Sequence, residues 1–150
     1  MRNLGASARL PGAGLATVTT TLIPYAETLL AKSQELISRG EFNIATVVAH
    51  MACELAAERA ISRTLANRNL TDLENAITGF VSGYNLASER HRNLYNALSG
   101  RTIHEQPFWQ AFKESAKRRN AAVHKGASVT KKQAEDTQRA ATELVTYLNQ

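Results

Sequence analysis

The segment from roughly Glu41 to Ala66 is the longest helical run in the chain, and apolar residues lie on most of its sides. Ile44, Val48, Met51 and Leu55 fall on one stripe at helical spacing, while Val47, Cys53, Ala56, Ala57, Ala60 and Ile61 carry apolar surface around the rest. A helix apolar on most sides has to be surrounded by other elements, so this segment is expected at the centre of the fold. At 150 residues the chain is one ordinary domain, long enough to bury a core. Its 43% hydrophobic and 21% charged content are those of a globular protein rather than a disordered one. Aromatics are sparse and alanine is abundant, which suits helices packed closely through small side chains.

Strand signals are almost absent. Pro24 suits a first helical position, and Ala26, Leu29, Leu30, Ser33 and Ile37 make one face before Gly40 stops that helix. Thr71 and Glu74 have the spacing of a capping box opening a third segment, which breaks near Gly83 and resumes from about Asn85 to Leu98, with Gly100 as its stop. Pro107 opens a further helix and Gly126 closes it. Thr130 and Gln133 form a second capping box, followed by Ala134, Ala141, Leu144, Val145 and Leu148 at helical spacing. The expected fold is all-α, an antiparallel bundle of four or five helices over residues 23–150. Residues 1–22, rich in Gly, Ala, Ser and Thr, read as a flexible lead-in without the apolar core of a secretory signal.

Several classes of function fall away at this level. No apolar run approaches the ~20 residues needed to cross a bilayer, so no membrane partner is expected. The single cysteine, Cys53, excludes an intrachain disulfide and a cysteine-based zinc cage, and it reads as a small core residue in a reducing, cytoplasmic setting. No Gly-rich phosphate loop, Ser/His/Asp order or zinc-finger spacing is present. The formal charge of +5 makes an acidic partner plausible, but only the placement of that charge gives it meaning.

The placement is uneven. The stretch "KRRNAAVHKG", residues 117–126, together with Lys131 and Lys132, is the densest basic region of the chain. On a helix from 107 to 125, Phe108, Trp109, Phe112, Ala116 and Val123 form the core-facing side, and Arg119 falls between Ala116 and Val123 on that side. A guanidinium drawn toward the core needs an anionic or carbonyl partner. Asn120 and His124 stand one turn apart on a neighbouring face. Arg beside His suits phosphodiester cleavage without a metal or other cofactor. Histidine as a residue type exchanges protons near neutrality, and arginine stabilises charge building on phosphate oxygens. Asn120 would support either group. One copy supplies a single histidine where an acid and a base are both useful, so a two-fold dimer is expected to supply the second.

Arg119, Asn120 and His124, spaced as "RNAAVH", resemble the R-x(4–6)-H motif of the HEPN superfamily, small helical domains in which a polar residue often follows the Arg. Arg118 also satisfies the spacing. The resemblance covers most of the chain from about Ile23, and only the motif region is distinctive. It implies a four- or five-helix bundle with the motif at the end of the penultimate long helix. It implies a metal-independent endoribonuclease acting on RNA as a homodimer, of the kind found in toxin–antitoxin modules, abortive-infection systems and type VI CRISPR effectors. An antitoxin or regulatory protein is then a further partner. Other members of the superfamily are non-catalytic modules that bind a protein or nucleic acid. Toxins controlled by a nucleotidyltransferase often carry Tyr two residues after the His. This chain has Gly126 there, which puts that mode of control in doubt.

Around the motif, Arg118, Lys125, Glu54 and His50 are further candidates for contact with substrate. His50 and Glu54 are one turn apart on the central helix and read as an intrahelical pair; the alternative has Glu54 pairing with Arg119 or orienting His124. His91, in "ERHRN", reads as part of a solvated helix face, and His104 has no assigned role.

Overall fold

The computed structural model describes residues 25–80 and 83–150. Among these, every regular element is helical: α1 (Tyr25–Ser38), α2 (Phe42–Asn67), α3 (Glu74–Phe80), α4 (Glu89–Ser99), α5 (Trp109–Lys125) and α6 (Lys131–Leu148), with short 3-10 turns at Thr71–Leu73 and Ile103–Glu105. The all-α expectation holds, with six helices where four or five were expected. The lead-in over residues 1–22 and the helix start at Pro24 lie outside the described residues.

α2 is the axis of the bundle and touches α1, α4, α5 and α6. Most of the residues it buries are small: Ala45, Ala49, Ala52, Cys53, Ala56, Ala57 and Ala60 are all at or below 2% exposure, beside the larger His50, Ile61 and Leu65. Small side chains let neighbouring backbones approach closely, and larger groups from those neighbours, among them Leu30, Trp109, Phe112, Leu144 and Leu148, fill the core between them. Cys53 is buried, and desolvation drives its thiol pKa well above the usual range, so it is an inert core residue.

The central position expected for this helix holds, and the structure shows which of its apolar faces turns inward. Ile44 and Met51, from the large apolar stripe, are exposed at 53% and 45%, and Val48 and Leu55 are half-buried. The alanine face went inward because four helices pack against one axis, and the close-packed side is the one that can be small.

Helix stops follow the glycines. Gly40, Gly100 and Gly126 all sit at positive φ, where a residue without Cβ carries no steric penalty. Thr130 and Gln133 form the expected capping box of α6, with the Gln133 amide donating to Thr130 Oγ1 at 3.3 Å and the Thr130 amide to Gln133 Oε1 at 2.9 Å. Thr71 instead opens the first 3-10 turn, and Glu74 begins α3 and accepts a hydrogen bond from Ser62 of α2. His91 is buried rather than solvated, its Nδ1 lying 3.0 Å from the Asn85 carbonyl.

Candidate functional site

The C-terminal end of α5 is pinned to the N-terminal end of α2 by one side chain. Asn43 Nδ2 donates to the Ala127 carbonyl at 2.8 Å, and Asn43 Oδ1 accepts from the Val129 amide at 2.9 Å. Both backbone groups belong to the α5–α6 connection, so this amide sets where the last turns of α5 lie. Gly126, at φ +64, turns the chain out of the helix, and the Ala127 amide returns to the Ala121 carbonyl at 3.2 Å.

Within those turns Arg119 is half-buried. Its Nη1 donates to Asn120 Oδ1 at 3.1 Å, and its Nε is buried with no hydrogen-bond partner among the described residues. Among the described residues no carboxylate comes within ion-pair distance of it. Glu54 therefore does not pair with Arg119; its Oε1 lies 3.5 Å from His50 Nε2 on its own helix. Asn120 and His124 are exposed, as is Val123 at 47%, although the helical angle of Val123 matches that of the buried residues. Trp109, Phe112, Ser115 and Ala116 form the buried part of α5.

Beneath Arg119 lies an unusual patch of core. His50 is 1% exposed, stacked at 6.0 Å on the Phe112 ring, and neither ring nitrogen has a hydrogen-bond partner among the described residues. Thr46 Oγ1, one turn earlier on α2, is likewise buried and unpartnered. Burial, reinforced by the nearby Arg119 charge, lowers the His50 pKa from 6.5 to about 4. His50 is thus neutral at pH 7, and its contact with Glu54 is not an ion pair there. It lies under the motif rather than on its surface and bears on a ligand only through Arg119.

The other candidates divide. Arg118 is turned away, with Nη1 donating to Thr137 Oγ1 at 2.6 Å and to the Gln133 carbonyl at 3.1 Å, so it ties α5 to α6. Lys132 pairs with Asp136 at 2.9 Å and Lys131 with Glu135 at 3.9 Å, which neutralises part of the basic cluster. Lys125 is exposed at the end of α5 and makes no ion pair among the described residues. A cavity of about 330 Å³ opens beside Asn120, walled by Lys113 and Lys117 of α5 and by Asn85 and Ser88 from the approach to α4. Of these, Lys117 falls in the basic stretch singled out in the sequence and Asn85 at a helix start, while Lys113 and Ser88 were not picked out. Lys113, Lys117 and Asn120 do recur at four- and three-residue spacing, the signal that could have placed them on one face.

In chemical terms the end of α5 offers an unpaired guanidinium held at the surface, an amide that orients it, and an exposed imidazole one turn on. Among the described residues no group of three or more His, Cys, Asp or Glu stands where it could hold a metal ion, and no helix is long and apolar enough to cross a membrane. Comparison of the chain with family models, with curated proteins and with solved structures finds no match.

Proposed function

We propose that this chain is a metal-independent endoribonuclease of the HEPN type, with its active site composed at the cleft of a homodimer. The observation that carries the reading is the state of Arg119: half-buried, buttressed by Asn120, and without a carboxylate partner. A guanidinium kept free of internal neutralisation is suited to the phosphate of an RNA backbone. In this mechanism Arg119 stabilises charge growing on the phosphoryl oxygens. His124 of one chain takes the 2′-hydroxyl proton, and His124 of the second chain gives a proton to the departing 5′-oxygen. The 2′-oxygen forms a bond to phosphorus as the bond to the 5′-oxygen breaks, leaving a 2′,3′-cyclic phosphate.

The second copy has a surface to occupy. Ile44, Val48, Met51 and Leu55 leave an apolar stripe on α2, and the end of α5 carrying Val123 lies against the start of that helix. Pairing across this stripe would bring two copies of Arg119 and His124 near one axis. The same stripe supports a second reading, a non-catalytic HEPN-like module that binds a partner protein through it. The two are separated by incubating RNA with the wild-type chain and with His124→Ala in EDTA: histidine-dependent cleavage supports the first, and its absence the second.

A further inference from the structure

At the opposite end of α2 the structure forms a second basic cleft, unconnected with the motif. A cavity of about 290 Å³ lies where the C-terminal ends of α2, α4 and α6 converge, and three arginines, Arg63, Arg68 and Arg101, line it. Among the described residues no acidic side chain lines it. Asn67 and His50 are separated by 17 residues of one helix, about 25 Å along its axis at ~1.5 Å per residue, so this cleft and the Arg119 region do not share a ligand.

Part of this convergence has a structural explanation. Helix C-termini carry partial negative charge, and Arg63 Nη2 donates to the Leu148 carbonyl while Arg101 Nη1 donates to the Tyr147 carbonyl at 3.2 Å. Arg101 Nη2 also reaches Gln150 Oε1 at 3.2 Å, and its guanidinium lies 3.8 Å from the centroid of the Tyr147 ring. Those contacts account for two arginines and fix the orientation of their heads. They do not account for Arg68, whose side chain makes no hydrogen bond or ion pair among the described residues. Nor do they exhaust the donors, since each guanidinium has five N–H groups.

We infer that this cleft binds a phosphate group. Guanidinium forks match the oxygens of phosphate two at a time, and Arg63 and Arg68 from the end of α2 together with Arg101 from the connection after α4 suit a tetrahedral oxyanion better than a planar carboxylate. Asn67 adds a neutral donor at the rim. The volume sits at the lower end of the range for small-molecule sites, which fits a phosphate alone or with little attached to it. The inference stands independently of the reading of Arg119 and His124.

The test is a titration of the isotopically labelled full chain with inorganic phosphate, followed by amide NMR at constant ionic strength. Parallel titrations use adenosine monophosphate and a short RNA, to distinguish free phosphate, a nucleotide and a nucleic-acid backbone as the source. Saturable shifts centred on residues 63–68 and 99–101 are expected with inorganic phosphate in the millimolar range or below. They should weaken at least about tenfold, or ~1.4 kcal/mol, in Arg68→Gln and persist in Arg119→Ala. Arg68 holds nothing in place, so the fold of its variant should be unchanged, and the unliganded spectrum checks this. Absence of saturable shifts, equal binding by Arg68→Gln, or shifts confined to the end of α5 would each overturn the assignment.

Discussion

Acid should destabilise this protein through one buried side chain. The unfolded chain takes up a proton on His50 near pH 6.5, whereas the folded chain does so only near pH 4, because the ring is buried and faces the charge of Arg119. Between those values the unfolded state binds more protons, so folding stability contributed by neutral His50 is fully present above pH 6.5 and declines as pH falls to about 4. At about 1.4 kcal/mol per unit of pKa difference, the loss is about 3 kcal/mol, a large share of the roughly 5–15 kcal/mol that holds a domain together. The groups facing the ring are Glu54 on its own helix, Phe112 and Arg119; the carboxylate favours the protonated ring, but desolvation and the arginine outweigh it. Urea unfolding followed by circular dichroism at pH 7, 6, 5 and 4 should show the wild type losing about 3 kcal/mol more than His50→Leu. The comparison of slopes cancels the surface carboxylates Glu35, Glu114 and Asp136, which titrate alike in both chains. Parallel slopes would refute the reasoning, since they would mean that His50 titrates as it does in water. A companion measurement follows the His50 ring by NMR, where Arg119→Gln should move its titration upward.

Three further outcomes follow from the geometry. Asn43→Ala removes both bonds that pin the α5–α6 connection and should cost about 1–3 kcal/mol in urea unfolding; an unchanged midpoint would show that the connection is held elsewhere. Gly126→Ala, at φ +64 with open space around the added Cβ, should destabilise by about 1 kcal/mol through backbone strain alone, measured as a fall in melting temperature. Met51→Asp places a charge in the apolar stripe of α2 and should convert a dimer at micromolar concentration into a monomer in sedimentation; a wild-type chain that is itself monomeric there would remove the composite site.

The helices and their stops were legible because the signals are local. Glycines at 40, 100 and 126 and the Thr130–Gln133 box act through a few neighbouring backbone groups, and the structure uses all of them. What could not be read was which face of a helix meets a neighbour. Val123 has the helical angle of a core residue, yet it is exposed near the end of α5, where angle alone says nothing of whether a packing partner reaches that turn. His91 sits in a charged run and is buried because Asn85, six residues earlier in a loop, turns back over it. The motif residues were legible as types and spacings, with Arg119, Asn120 and His124 at the end of one helix. That His50 lies beneath Arg119, and that Arg118 is consumed by α6, depends on contacts between distant segments that no local pattern encodes.

The central claim concerns chemistry at His124, and its most direct measurement is the rate and product end of RNA cleavage in EDTA, wild type against His124→Ala. Loss of a positioned acid/base should slow cleavage by roughly 10²–10⁴-fold, and the wild-type product should end in a 2′,3′-cyclic phosphate. Cleavage that requires added Mg²⁺, or an alanine variant as fast as the wild type, would contradict the account.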